Sequence, residues 1–331
     1  MGRLFSEGGP AFIKREVVVG RSLGEGHGLE PKGPSGPELA NKVILVTGAT
    51  GGIGFLTASM LAARGATLLV TGRDPEHGAA AVHRMRQTAG HDRVDFLRVD
   101  HSTIAGNEDL ATAVSRRVDR LDILVNNVGG IYPTRTLTAD GIEMTLAINF
   151  LAPFVLTQEL LPLLSAPHGE ARCLNVVSSS YKMTKGDPFQ DLQAETGYVS
   201  ILVHGRAKLL TLIWTMALGR GGIENGLVAT AVNPGMAWTP MTRSLTPETV
   251  PAWRHIFPIV QFFQRRADPS LAARHCEELV LAGADTVAGK YFDKAREVVI
   301  DKRLTDPELL KRVVSAGNTL RNSTGRQALT P

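Results

Sequence analysis

The sequence predicts one doubly wound α/β domain, a parallel sheet with helices on both faces. Three observations point there. Short apolar runs recur along the chain without polar alternation, the pattern of strands buried on both sides. Stretches of helical periodicity separate these runs, and alternating strands and helices make a parallel sheet. A glycine-rich turn joins the first such strand to the first such helix.

Taken in order, residues 42–47 (KVILVT) read as a short buried strand, followed by the turn and a helix over 55–64. Residues 67–70 are a second strand. Asp74-Pro75-Glu76 then marks a helix start, with Asp74 as N-cap and Pro75 at the first helical position. Residues 94–99 make a third strand, 121–125 a fourth after a helix ending near Val118, 173–177 a fifth and 227–232 a sixth, with helices near 140–164 and 198–219. The domain so defined covers 41–316. Residues 1–40 hold nine Gly and four Pro and one strand-like run, Glu16-Val17-Val18-Val19, and read as an arm. Residues 317–331 read as a flexible tail.

Composition excludes several classes. At 331 residues and 43 % hydrophobic the chain can bury a large core. Its 36 Lys+Arg and 32 Asp+Glu leave an excess that lies in 241–331 and is scattered, unlike the basic stripe of a nucleic-acid binder. Two cysteines, Cys173 and Cys276, fit a reducing compartment. No run approaches the eighteen or so apolar residues of a membrane span, and Lys14, Arg15 and Glu16 interrupt the only candidate secretory segment. Met1-Gly2-Arg3-Leu4-Phe5-Ser6 matches the loose myristoylation pattern. His83, His91, His101 and His168 show no metal-ligand spacing. A cytoplasmic protein with a small-molecule substrate is expected, with no metal, nucleic acid or membrane span.

The turn Thr47-Gly48-Ala49-Thr50-Gly51-Gly52-Ile53-Gly54 allows a tight bend and close approach of backbone to a pyrophosphate, with helix N–H groups behind it. Strand–turn–helix context marks a Rossmann-type dinucleotide site. Gly48, Thr50, Gly51, Gly52, Ile53 and Gly54 are therefore candidate cofactor residues. At the end of the second strand stand Arg73 and Asp74. An acidic residue there favours NAD and a basic one NADP; Pro75 gives Asp74 a capping role, so Arg73 favours NADP(H), with NAD(H) second. Asp100 and His101 end the third strand, where adenine would lie. Asn126-Asn127-Val128-Gly129 ends the fourth, and by the crevice rule these ends line one site.

These residues together resemble the short-chain dehydrogenase/reductase family, and within it the retinol-dehydrogenase-like branch. The resemblance runs from about Lys42 to Val314. It is carried by the Thr47–Gly54 turn, Asn126-Asn127-Val128-Gly129, Asn149 in an Asn-Phe-Leu-Ala-Pro-Phe run, Asn175-Val176-Val177-Ser178, Asn233-Pro234-Gly235 and Gly289-Lys290-Tyr291-Phe292. It implies cofactor contacts from Asn127, Val128, Gly129, Pro234, Gly235 and Thr239. It implies four catalysts: an Asn holding a water, a Ser bonding the carbonyl oxygen, a Tyr moving the proton, and a Lys holding the ribose and lowering the Tyr pKa. Asn149, Ser178 and Lys208 match the Asn, Ser and Lys. The run Ser178-Ser179-Ser180 leaves the Ser open by a residue. Where the Tyr belongs, four residues before Lys208, stands His204, and Val128 replaces the usual Ala.

Residues four apart share a helix face, so His204 and Lys208 should point the same way. Imidazole moves protons, but its ring is shorter than tyrosine, leaving a gap of about 1–2 Å against a hydrogen-bond reach near 3 Å. A water, a shifted substrate or a hydroxyl of Tyr132, Tyr181 or Tyr198 would have to fill it. Trp253, Phe257, Phe262 and Phe263 follow the Pro-Gly segment and suggest a hydrophobic substrate wall. The reading is an NADP(H)-dependent oxidoreductase interconverting an alcohol and a carbonyl. A cofactor-binding protein without hydride transfer and a non-redox enzyme reusing the fold are the alternatives. The outward helix faces do not decide whether it is a homo-oligomer.

Overall fold

In the computed structural model, which describes residues 17–18, 38–164, 170–222, 226–243, 246–247, 249 and 257–323, the strand–helix alternation closes into one sheet. Its strands are β1 (Val17–Val18), β2 (Val43–Val46), β3 (Thr67–Gly72), β4 (Val94–Arg98), β5 (Ile123–Asn126), β6 (Ala171–Val176), β7 (Leu227–Asn233), β8 (Lys290–Asp293) and β9 (Arg296–Val299). They lie in the order β1-β9-β8-β7-β6-β5-β2-β3-β4. From β8 to β4 every pair is parallel; β9 and then β1 add antiparallel strands at one edge. The chain winds outward from β2 to β4 and returns to the other side of β2 at β5. The connections leaving β2 and β5 thus run to opposite sides, and such a switch point is where these sheets hold ligands.

The helices are α1 (Gly52–Ala63), α2 (Pro75–Ala89), α3 (Ile104–Ser115), α4 (Met144–Leu146), α5 (Ala152–Leu164), α6 (Ser200–Gly222), α7 (Pro240–Arg243), α8 (Phe257–Arg265), α9 (Pro269–Leu281), α10 (Ala284–Val287) and α11 (Pro307–Ser323). A π-helical turn, Ala147–Leu151, joins α4 to α5. On β2, Ile44 and Val46 pack with Leu61 of α1, Met85 of α2 and Leu279 of α9, whereas Leu45 packs with Leu110 of α3 and Leu160 of α5. The inner strands thus feed a core on both faces, which is why their sequences show no alternation, whereas β4 and β9 near the edges keep exposed residues. Asp74 caps α2 as its spacing to Pro75 predicts, accepting from His77 N at 2.8 Å.

Two expectations need correction. The β8–β9 hairpin is absent from the sequence reading because its turn residues, Lys294 and Ala295, adopt φ of 54° and 57° without the Asn or Gly that usually announces such a turn. The tail does not begin at 317: α11 continues to Ser323, Leu320 is buried, and Arg321 pairs with Glu108 and Glu159. Two helical stretches, Met144–Leu164 and Ser200–Arg220, are long and apolar enough to cross a bilayer by length and composition, but 72 % of each is buried in the fold. They are the sheet's inner helices. Of the arm, Val17–Val18 pairs with Val298 and Val299 on β9; Met1–Ser6 and residues 324–331 lie outside the described residues.

Gly317 discriminates between tail and packed helix. A Cβ there would stand 2.4 Å from the Phe154 ring. Gly→Ala in an exposed helix stabilises by about 0.5–1 kcal/mol, whereas overpacking costs about 1–3 kcal/mol. Gly317→Ala is expected to destabilise the protein in urea denaturation; stabilisation would return 317 to a loosely packed end.

Candidate active site

The switch point is clamped by side chain–backbone bonds. Thr47 Oγ1 accepts from the N–H groups of Asn127 and Val128, both at 3.0 Å, and donates to Val125 O at 3.3 Å. Asn127 Nδ2 returns the contact, donating to Thr47 O at 2.9 Å and Gly48 O at 3.2 Å. Asn127 therefore acts by shaping the turn. Gly48 has φ 63°, and a Cβ on Gly54 would fall 2.3 Å from Asn127 Nδ2 and 2.6 Å from Gly48 O. Thr50 covers Gly72 so closely that a Cβ there would meet its methyl at 2.4 Å. Ile53 packs into the core below the turn.

Above the turn the arrangement is open. Gly51 is the N-cap of α1 and supplies no side-chain cap, and a Cβ built on it meets nothing within 4 Å. The first N–H groups of α1 thus lack a side-chain acceptor on the side where backbone can be approached, as a pyrophosphate requires. Arg73 and Asp100 are both exposed at the neighbouring strand ends. Burial raises the Asp100 carboxyl, but bonds from Ser102 and the Arg73 charge outweigh it and hold the group below its ordinary value.

His101 does not line this crevice. It is buried, with Nε2 2.9 Å from Thr71 Oγ1 and Nδ1 2.7 Å from Asn107 Oδ1. Thr71 Oγ1 also accepts from Gly48 N at 3.0 Å. The ring is a strut under the glycine turn, and burial lowers its pKa to about 4. Neither Thr71 nor Asn107 stands out in the sequence, since an isolated Thr or Asn at a strand end or helix start carries no distinctive spacing.

Deeper in the crevice, the predicted catalytic residues do converge. Lys208 is buried and donates to Val176 O at 2.8 Å, its one hydrogen bond among the described residues. Its other two N–H donors remain available, near Gly129, whose added Cβ would stand 3.4 Å from Nζ. Burial lowers its pKa to about 8. Asn149 sits in the π turn, where its Nδ2 donates to Gly130 O at 2.7 Å and Thr145 O at 2.8 Å, and its own carbonyl accepts from Thr211 Oγ1 at 2.7 Å. Thr211 was not expected from the sequence.

Ser178 N-caps a 3₁₀ turn, Ser179–Met183, and its Oγ accepts from Ser180 N at 3.3 Å and Ser180 Oγ at 3.1 Å. A hydroxyl has two acceptor positions and one proton. Both positions are filled, so Ser178 can only donate, which suits a carbonyl or alkoxide oxygen. His204 is buried with Nδ1 3.0 Å from Ser180 Oγ. Burial first, then the Lys208 charge, lowers its pKa to about 3, so the ring is neutral.

Two of the three tyrosines are engaged elsewhere. Tyr181 is fully buried and stacks edge-on against Tyr291. Tyr198 Oη donates to Tyr132 O at 3.0 Å and contacts Thr145 and Glu143, and burial raises its pKa to about 12. Tyr132 lies beside Gly130, its Oη 3.2 Å from where a Cβ would be. After β7, Gly235 has φ 95° next to the Lys294 chain, Pro234 O accepts from His275 Nδ1 at 2.9 Å, and Thr239 is buried in a turn with Thr242. Phe257 is buried and Phe262 half exposed; Trp253 lies outside the described residues.

Residues 42–249 match the family model for short chain dehydrogenases. Human retinol dehydrogenase 12 is 31 % identical over 278 residues, covering 83 % of this chain and 85 % of that one. Retinol dehydrogenase 13 of Mus musculus is 31 % identical over 306 residues, covering 92 % and 91 %. Among solved structures, the Pseudomonas aeruginosa RhlG/NADP active-site complex superposes with a TM-score of 0.58 at 26 % identity, covering 77 % of this chain and 95 % of that one.

The two buried imidazoles predict acid lability. An unfolded histidine titrates near pH 6.5, so as pH falls below this the unfolded state binds protons that folded His101 and His204, at about 4 and about 3, refuse. Stability should be full above pH 6.5 and fall toward pH 4.5, by up to about 1.4 kcal/mol per pH unit for each ring. Urea unfolding between pH 7 and 4.5 measures the slope, and His101→Gln should reduce it by close to one proton.

Proposed function

This chain belongs to the short-chain dehydrogenase family, and from that premise we propose that it is an NADP(H)-dependent oxidoreductase interconverting an alcohol and a carbonyl on an apolar small molecule. The observation that carries the reading is the pairing of Ser178, whose only free hydrogen-bonding function is its proton, with a buried Lys208 that keeps two donors free. The uncapped start of α1 suits a pyrophosphate, and Arg73 at the crevice rim suits an additional phosphate. The nicotinamide, when bound, supplies or accepts the hydride. Lys208 would hold its ribose hydroxyls, Asn149 would brace the Gly129–Gly130 wall, and Ser178 would donate to the substrate oxygen. The retinol dehydrogenases among the relatives make retinal the first substrate to try.

One observation favours a second reading, a cofactor-binding protein without hydride transfer. His204 replaces the tyrosine expected by resemblance, and its imidazole, lowered to about 3, holds no proton charge at neutral pH. Turnover separates the two.

Thermal denaturation with NADPH and NADH tests the cofactor. A ligand at 100 times its Kd adds about 2.7 kcal/mol, a clear rise in Tm. Arg73→Ala should weaken NADPH at least tenfold more than NADH; equal losses would sink the NADP assignment. With retinal and NADPH, Lys208→Ala and Ser178→Ala should each lose about 10²-fold or more in kcat/KM, and His204→Tyr should keep or raise it. NADPH binding without turnover across a carbonyl panel would favour the second reading.

A further inference from the structure

We propose that Ser180 couples Ser178 to His204 in a proton path, so that the Ser178 hydroxyl, and not a side chain at position 204, exchanges the proton with the substrate oxygen. The inference rests on the oxidoreductase reading above. Its geometry is continuous: His204 Nδ1 to Ser180 Oγ is 3.0 Å, and Ser180 Oγ to Ser178 Oγ is 3.1 Å. Ser180 and His204 are both buried. The contact depends on Gly205, where a Cβ would stand 2.4 Å from Ser180 O; any larger residue would lift α6 off the serine turn.

The hydrogen-bond directions follow from counting protons. Ser180 has one hydroxyl proton and gives it to Ser178. The contact from His204 must then be Nδ1–H donating to Ser180 Oγ, which leaves the lone pair on Nε2. Ser178 accepts twice and keeps its proton for the substrate. All donors in the chain therefore point from His204 toward the crevice. The two serine hydroxyls fill the gap left by a ring shorter than tyrosine.

In the reducing direction a bound reduced nicotinamide would supply the hydride for the new C–H bond at the carbonyl carbon and be oxidised in doing so, and the C=O π pair would move to oxygen. The oxygen takes the Ser178 proton, Ser178 takes that of Ser180, and Ser180 takes that of His204 Nδ1. Nε2 gains a proton from water as Nδ1 loses one. The ring changes tautomer and remains neutral, and alcohol oxidation runs the same steps backward. Burial and the Lys208 charge make a stored imidazolium costly, so a tautomer exchange fits this ring better than charging. Ser180 is here a positioning residue, acting on substrate through Ser178.

The test pairs ¹⁵N-histidine NMR of the full chain at pH 7 with retinal reduction by NADPH, with the His204 signals assigned by loss in His204→Gln. Wild type should show Nδ1 protonated and Nε2 bare, and Ser180→Ala should lose that preference. Ser180→Ala should lower kcat at least tenfold with KM within threefold, and Ser180→Thr, which keeps the hydroxyl, should regain most of it. Ser180→Ala with His204→Phe should cost no more than the worse single change, as groups acting as a unit do. An Nε2-protonated ring in wild type, a Ser180→Ala kcat within twofold of wild type, or additive losses would overturn the path. If wild type turns over no retinal, the substrate reading fails on its own, and the tautomer in wild type and Ser180→Ala still decides the coupling.

Discussion

The seating of α6 against the sheet is the constraint from which the rest of the site follows. Two glycines set it. A Cβ on Gly205 would meet Ser180 O at 2.4 Å, and one on Gly219 would meet Gly289 Cα at 2.6 Å, so both ends of the helix lie closer than any side chain allows. Along the same stretch runs a stripe of buried polar residues: His204, Lys208, Thr211 and Thr215. At spacings of four, three and four these residues share one face. Each has a partner across the gap, respectively Ser180 Oγ, Val176 O, Asn149 O and Asn175 Nδ2. A buried polar group without a partner costs about 1–3 kcal/mol. The stripe is tolerable only at this close seating, so the contacts that stabilise α6 are the same ones that aim the candidate catalytic groups.

The polar stripe does not end at α6. Asn175 Oδ1 accepts from Asn126 Nδ2 at 2.8 Å, and Asn126 also donates to Thr157 Oγ1 at 3.0 Å. The network thus crosses from α6 through β6 and β5 to α5, ending beside the Thr47–Asn127 clamp. Asn126, although it directly precedes Asn127 of the clamp, belongs to the interior. This buried path has an electrostatic consequence. It offers dipoles but no counter-charge, so burial lowers Lys208 to about 8, and His204, four residues away, is lowered further by the Lys208 charge. The helix face can carry one positive charge economically, and the lysine holds it.

Much of this was legible in the sequence, for physical reasons that can be named. The inner parallel strands showed as unalternating apolar runs because each packs on two helix layers, and Asp74-Pro75 announced α2 because capping chemistry is local. Lys208, Ser178 and Asn149 converge because their motifs fix them to strand ends and one helix face. Where the reading failed, the determining contact was non-local or lacked its usual residue. Lys294 and Ala295 turn a hairpin without glycine or asparagine. Helix α11 outlasts its apparent end because Gly317 packs on Phe154, far away in sequence. His101 stands next to Asp100, yet its ring turns inward to Thr71 and Asn107, and nothing in the local pattern distinguishes the two side chains.

The histidine at position 204 separates two properties that a tyrosine combines. A phenol carries its own reach and its own proton from a helix to the crevice. An imidazole at the same backbone position is too short to do both, and burial removes the charged form that would make it an acid. In this chain the reach is available from elsewhere, because the 3₁₀ turn after β6 brings two hydroxyls between the ring and the crevice, and Gly205 lets the helix close on them. Acid–base function in such a site need not belong to one side chain. It can be distributed over a donor that faces substrate, a hydroxyl that transmits, and a ring that exchanges one proton for another, provided that the lone pairs of the hydroxyl facing substrate are already committed. The double acceptance at Ser178 Oγ supplies that commitment.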